Sequence, residues 1–200
     1  MNILLKYASA EIVIKNSKFL AEIFPVKTQS EAREFLKKQK QKYADATHVV
    51  HAFVLGSSGE ILGCSDDGEP SGTAGKPALT VLKNSGITNI MLTIMRKFGG
   101  ILLGTGGLVK AYTDSAKAVL QKAETEPFTE KLDCKVFCSY PKYELIKNKF
   151  DDFLAEIKAV NFKEEIEINL SIPKDKKNAL CSFLENAAKG GSAIRFLIAP

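Results

Sequence analysis

The sequence is poor in metal-binding side chains, with two histidines and four cysteines in 200 residues. Cys64, Cys134, Cys138 and Cys181 form no CxxC pair. The Cys134 to Cys138 spacing lacks a second pair or a nearby histidine, which excludes the usual zinc sites. Four unpaired thiols suit a reducing compartment. His48 and His51 both lie in the β-prone run Thr47 to Leu55. Three apart on a strand, they point to opposite faces and cannot share a metal without a bulge, so each reads as a satisfied core or edge residue. No stretch approaches about 18 uninterrupted apolar residues, and MNILLKYASAEI lacks an apolar leader core. The expectation is a cytoplasmic protein with no membrane segment.

The stringent catalytic signatures are missing as well. A Walker A loop needs Gly-Lys-Ser/Thr after a glycine and four residues, but Gly75-Lys76 is followed by Pro77, and Pro70 stands where the first glycine should be. Gly99 to Gly104 has the glycine spacing but continues with Thr105, and Gly104-Thr105-Gly106-Gly107 fails the dinucleotide fingerprint at Val109. In Gly68-Glu69-Pro70-Ser71-Gly72 the serine falls one position late for a nucleophile elbow. Ordinary NTPase, dehydrogenase and serine-hydrolase readings therefore drop out.

What is present is a globular composition, 45% hydrophobic and 26% charged, at a length that suggests two domains of unequal size. The net charge of +5 divides near Glu126 into about +4 and about +1. A basic N-terminal part is compatible with RNA or phosphate ligands, as it is with many enzymes. Two glycine-rich segments dominate the chain, Ser65 to Pro77 (SDDGEPSGTAGKP) and Arg96 to Tyr112 (RKFGGILLGTGGLVKAY). Each feeds a helix, so each aims free helix N-terminal N–H groups at whatever lies ahead, an arrangement that favours anions. The candidate anion or phosphate site comprises Ser71, Gly72, Thr73, Gly75, Lys76, Arg96, Lys97, Gly99, Gly100, Gly104, Gly106, Gly107 and Lys110. Asp66, Asp67 and Glu69 form an acidic trio that could hold a hard divalent cation, magnesium being the natural choice. The alternative is turn chemistry, since Asp67-Gly68 is a standard turn pair and acids ahead of a helix suit its dipole.

Along the chain, Glu11 to Ile14 and Lys18 to Pro25 read as a hairpin turning at Asn16-Ser17. A helix follows, capped by Thr28 or Ser30, with Lys37, Lys38, Lys40 and Lys42 crowding its C-terminal half, as a solvated helix end or as a phosphate-binding face. Thr47 to Leu55 is a central strand, Ile61-Leu62 a short one, and Pro77 marks a helix ending near Asn84-Ser85-Gly86. Asn89 to Arg96 is an apolar, doubly covered strand, and a long helix spans Thr105 to Ala123. Thr125-Glu126-Pro127 reads as a linker, placing the domains at 1–126 and 127–200. Beyond it come a strand at Lys131 to Tyr140, a helix from Pro141 to about Ile157, strands at Val160 to Lys163 and Ile166 to Ile172, a helix from Pro173 to about Ala188, and a strand at Ser192 to Ile198 after Gly190-Gly191. That βαββαβ order is ferredoxin-like, within an α+β protein overall.

At the two glycine-rich segments the sequence resembles the YigZ/IMPACT family. The resemblance rests on Ser65 to Pro77, Phe98-Gly99-Gly100, Leu103-Gly104 and Gly106 to Tyr112, and extends over about Ser17 to Ala123. Lys97 departs from it, standing where the family usually has an aromatic residue. The resemblance implies an N-terminal domain similar to the second domain of ribosomal protein S5 and a C-terminal domain similar to a ferredoxin-like domain of elongation factors. Eukaryotic relatives regulate translation under amino-acid starvation by competing for the activator of a stress kinase.

Two functional readings follow. In one, the protein is a translation-related regulator that binds RNA, the ribosome or a regulatory protein through a glycine-rich anion-binding cleft, with Lys76, Arg96, Lys97 and Lys110 on phosphates and only Phe98 and Tyr112 available to stack bases. In the other, it is a metal-assisted enzyme acting on a phosphorylated small molecule, with Asp66, Asp67 or Glu69 holding the cation and Lys76 or Arg96 neutralising the phosphate.

Overall fold

A computed structural model describes residues 1–189 and 194–198. The chain is α+β and divides into two compact units, Met1–Phe128 and Thr129–Pro200.

The first unit opens with β1 (Asn2–Leu4), followed by the hairpin β2 (Ala8–Ile14) and β3 (Ser17–Pro25). The hairpin turns at Lys15-Asn16, one residue earlier than expected, because both residues take positive φ (45° and 62°) and so close a two-residue loop whose twist matches the strands. Helix α1 (Gln29–Lys42) follows, and Thr28 is its cap: the Thr28 hydroxyl accepts the Glu31 N–H at 3.1 Å while the Glu31 carboxylate accepts the Lys27 N–H at 2.7 Å. Next come β4 (His48–Leu55), β5 (Ile61–Ser65), α2 (Gly75–Asn84), β6 (Ile87–Thr88), β7 (Ile90–Lys97), α3 (Gly104–Leu120) and β8 (Thr125–Pro127).

Five strands form an antiparallel sheet in the order β2-β3-β7-β4-β5. Central β7 is buried from Ile90 through Arg96, as a strand covered on both faces must be. On one face α2 and α3 pack over Phe19, Val50, Leu92 and Ile94, with Leu82, Ala111 and Tyr112 supplied by the helices. On the other, α1 covers Phe24, Val26, Leu55 and Met91.

A second, three-stranded sheet has the order β6-β1-β8, with β1 parallel to β6 and antiparallel to β8. Residues 125–127, read from the sequence as a linker, are thus a strand of the first unit. Two or three residues show too little pattern to be told from a connector; their pairing with distant Asn2 to Leu4 makes them a strand.

The second unit runs β9 (Lys131–Cys138), α4 (Tyr140–Ile146), β10 (Glu156–Phe162), β11 (Ile166–Pro173), α5 (Lys177–Ala188) and β12 (Arg195–Ile198). Its sheet order, β10-β11-β9-β12, all antiparallel, is the ferredoxin-like one, and its core includes Val136, Phe150, Ile168 and Leu180. The expected helix from Pro141 to about Ile157 is shorter: after α4 the chain tightens into a 3₁₀ stretch over Lys147–Phe153 and stops at Leu154 in a left-handed conformation. Gly190-Gly191 and Ser192 lie outside the described residues.

Candidate functional site

The two glycine-rich segments meet through Glu69. Its Oε1 accepts hydrogen bonds from Arg96 Nη1 and from the Tyr112 hydroxyl, both at 2.7 Å, and lies 3.9 Å from His48 Nε2. Glu69 belongs to the first segment, Arg96 and Tyr112 to the second. Both members of the ion pair are almost fully buried, their side chains 2% and 7% exposed. The Arg96 guanidinium lies between the rings of Phe19 and Phe98, 5.5 and 5.6 Å from their centroids. Burial and the hydrogen bond to Glu69 hold the Tyr112 phenol far above its ordinary pKa, so it is a permanent donor. His48 is fixed from behind by a 2.7 Å contact between its Nδ1 and the Asp67 carbonyl.

The first segment spends its acids internally. Asp66 Oδ2 accepts the Gly72 N–H at 2.8 Å, while Oδ1 accepts those of Ala74 and Gly75 at 3.0 and 2.8 Å. This one carboxylate caps α2 and closes the loop. Burial works to raise its pKa, but the three backbone bonds outweigh that and hold it below the usual range. Asp67 turns the chain with Gly68 at positive φ; its carboxylate receives the Val49 N–H at 2.7 Å and the Lys40 ammonium. Thr73 is buried, its hydroxyl bonded to the Pro70 carbonyl. Ser71 and Lys76 are exposed.

The second segment is anchored at its base and apolar at its tip. The Phe98 N–H donates to Thr47 Oγ1 and the Gly99 N–H to Ser17 Oγ, each at 3.1 Å. A side chain at Gly99 would put its Cβ 2.0 Å from the Asn16 carbonyl carbon, so this glycine lets the loop rest on the hairpin turn. Phe98 and Ile101 are about half exposed, Leu102 is 81% exposed, and Val109 is exposed one turn into α3. No side chain caps α3, and Gly104, Thr105 and Gly106 at its start are exposed. Gly100 and Gly104 hold positive φ, whereas Gly106 has an ordinary φ and open space where a Cβ would sit. Gly107 faces Leu103 inside the first turn.

Several sequence expectations change. The N–H groups at the start of α2, expected to face an external anion, are held by Asp66. Three of the four candidate cations already have carboxylates: Arg96 has Glu69, Lys97 has Asp45 and Lys110 has Asp114. Tyr112, expected to stack a base, is 0% exposed. The acidic trio does not converge: Asp66 faces α2, Asp67 faces β4 and α1, and Glu69 faces Arg96. Among the described residues no group of three or more His, Cys, Asp or Glu side chains could hold a metal ion, so the donor set does not fit magnesium. Sequence reasoning missed the parts played by His48 and Tyr112. A histidine at the start of a strand and a tyrosine on a helix face give no signal of a shared partner some twenty and forty residues away.

No described helix is long and apolar enough to cross a membrane, and all four cysteines are free thiols. A family model described as the Impact N-terminal domain matches residues 15–120. An IMPACT family member of Haemophilus influenzae is 36% identical over 186 residues, covering 92% of this chain and 90% of its own. The IMPACT family member YigZ of Escherichia coli is 32% identical over 179 residues, 88% of each. The crystal structure of a hypothetical protein superposes with a TM-score of 0.72 at 30% identity, covering 100% of this chain and 97% of the other. The matched family region holds both glycine-rich segments and the Glu69, Arg96 and Tyr112 junction between them, and the chain belongs to the IMPACT family.

Proposed function

We propose that this protein is a cytoplasmic, translation-related regulator that engages the ribosome or a regulatory protein through the face built by its two glycine-rich segments. The observation that carries this reading is the loop Phe98 to Leu103, an apolar tip on an anchored base, with Leu102 81% exposed. Soluble proteins seldom display such side chains in a group without a partner for them. The uncapped start of α3 beside it offers backbone N–H groups to an acidic side chain or phosphate of that partner. A protein surface suits this face better than naked RNA, because Arg96, Lys97 and Lys110 are paired and no aromatic ring but Phe98 is open for stacking. The eukaryotic relatives that the sequence resembles act on translation, and four free thiols suit a reducing compartment.

The metal-assisted enzyme draws no support, since each carboxylate that it needs is held by donors of the chain. Co-sedimentation of the full chain with ribosomes, and separately with protein-free ribosomal RNA, tests the proposal. Leu102→Asp should abolish ribosome association at unchanged thermal stability, because Leu102 makes no core contact worth losing. Association with protein-free RNA that is as tight and insensitive to the substitution would transfer the function to RNA. Ribosome binding that survives Leu102→Asp would reject this face.

A further inference from the structure

Helix α1 is held to the sheet by less than α3 is. Of its fourteen residues only Ala32 and Gln39 are buried, and Gln39 is polar. By contrast α3 buries Leu108, Tyr112 and Val119 among others. Beneath α1 the sheet presents an apolar row and a polar one. The apolar row is Phe24, Met91 and Phe53, opposite one another on β3, β7 and β4, and the Phe35 ring of α1 lies 5.2 Å from that of Phe24. Two residues along each strand, and so on the same face, stand Glu22, Thr93 and His51. One helical turn advances about 5.4 Å and two strand residues about 6.8 Å, so Gln39, a turn after Phe35, falls over this polar row.

Glu22, Thr93 and Gln39 are 1%, 2% and 5% exposed. Glu22 Oε1 accepts the Tyr7 hydroxyl at 2.7 Å and the Lys42 ammonium at 2.9 Å. Glu22 Oε2, Gln39 Oε1 and His51 Nδ1 are buried without a hydrogen-bond partner among the described residues. A buried polar atom without a partner is destabilising, and that penalty is relieved when water reaches it. The plain reading is a packing defect that the fold tolerates. Against it, three of the four such atoms in the described residues share this one layer, the fourth being Arg96 Nε. The charged ties of α1 are ion pairs from exposed lysines, Lys40 to Asp67 and Lys42 to Glu22. On either side of the helix the chain is fixed by backbone: the Val26 N–H donates to the Asn89 carbonyl and the Thr47 N–H to the Arg96 carbonyl, each at 2.9 Å.

We propose that α1 is a lid: the chain between Val26 and Thr47 lifts from the sheet as one unit while the rest of the first unit stays folded, and the first glycine-rich segment senses whether the lid is down. The link is Asp67. Its carboxylate receives the Lys40 ammonium from α1 and the Val49 N–H at 2.7 Å. Its carbonyl holds His48, whose Nε2 lies 3.9 Å from Glu69 Oε1. Lifting α1 takes Lys40 away and leaves that carboxylate on Val49 alone, which loosens the turn leading to Glu69. Coupling of this kind is reciprocal, so whatever clamps the first glycine-rich segment also holds α1 down. Opening admits water to the polar row and uncovers Phe24, Phe53 and Met91 beside it. The lid belongs to the free chain, so this inference does not depend on the function proposed for the glycine-rich face.

The test is amide hydrogen exchange of the full chain, read by mass spectrometry at neutral pH. Lifted from the sheet, a helix of fourteen residues does not persist in water, so each opening exposes its amides to exchange. Amides of α1 should exchange together, at least about 100-fold faster than those of α3. Gln39→Met keeps the size of the side chain and removes its unpartnered carbonyl; it should slow exchange in α1 about fivefold or more. Should that variant melt early, Gln39→Leu replaces it with the same expectation. Lys40→Met, at an exposed position, should speed exchange about two- to fivefold both in α1 and in residues 66–69, and leave α3 unchanged. Exchange in α1 as slow as in α3 would overturn the proposal, as would rates graded from the helix ends inward, which mean fraying. Faster α1 exchange in both Gln39 variants would show that the polar row holds the helix down. Residues 66–69 that keep the wild-type rate in Lys40→Met would overturn the link to the glycine-rich segment.

Discussion

Glu69 Oε1 lies 2.7 Å from Arg96 Nη1 inside the first unit, and that ion pair, with the Tyr112 hydroxyl bonded to the same oxygen, ties the two glycine-rich segments together. Breaking one side of a buried pair leaves a charge without compensation. Glu69→Gln should therefore lower stability by about 3 kcal/mol in urea unfolding. Glu69→Gln/Arg96→Met, which removes both charges, should recover part of that loss. A single variant that unfolds like the wild type would show that the segments are held together by other means.

The glycines of the second segment divide into two kinds. Gly99→Ala should cost well over 1 kcal/mol, because the added methyl meets the Asn16 carbonyl, which the hairpin holds in place. Gly106→Ala, in open space at an ordinary φ, should stabilise α3 by roughly 0.5–1 kcal/mol. If Gly106 lets a partner's backbone come close to the helix start, the same substitution weakens ribosome or protein association despite its higher melting temperature. Thermal melts beside co-sedimentation separate the two effects.

Acid should unfold the protein in two steps. Burial lowers the pKa of His51, Lys40 lowers it further and Asp67 opposes them. A histidine whose folded pKa is depressed contributes stability that is complete above the unfolded value of about 6.5 and is lost as pH falls through the folded value. Asp66, also held low when folded, contributes above about 4 and loses that contribution below it. Urea midpoints measured from pH 8 to pH 3 should fall twice. His51→Gln should remove the first fall and leave the second. Asp66→Asn should reduce stability even at pH 7, since an amide has one acceptor oxygen where two are used. A midpoint that rises between pH 7 and pH 5 would contradict the sign for His51.

Much of this fold can be read from periodicity. The hairpin, the central strands and the helices after each glycine-rich segment stand within a few residues of where pattern and capping put them, because each carries a local signal. Thr28 caps α1 in the way that Thr-x-x-Glu spacing announces. The three-stranded sheet escapes such reading, since β6 and β8 are two and three residues long, too short to show a period, and become strands by pairing with β1. The backbone geometry of the candidate site is more legible in the sequence than its side-chain contacts are. Glycine density marks where Gly99 and Gly75 approach other backbone, at Asn16 and Ser65. It cannot reveal that Asp66 already fills the anion-binding position at α2, because side-chain capping across eight or nine residues depends on the path of the loop between.

Cutting the chain after Phe128 should yield a first unit that melts cooperatively on its own, since it keeps β8 and the core beneath α2 and α3. A fragment ending at Glu124 loses β8, the antiparallel partner of β1, and keeps only β6 beside it. It should melt at a lower temperature and expose Leu4, now 3% exposed, to proteases. Equal melting of the two fragments would mean that residues 125–127 contribute no more than a connector.

The pairing of Asn2 to Leu4 with Thr125 to Pro127 also sets a schedule. During synthesis the nascent first unit can collapse early around its hairpin and α1, but its small sheet stays open until residues near 127 have left the ribosome. At about 5–20 residues per second, the 72 residues from Thr129 to Pro200 take roughly 4 to 14 s more to make. Translation of the second unit therefore supplies a time window in which the first can close its last strand.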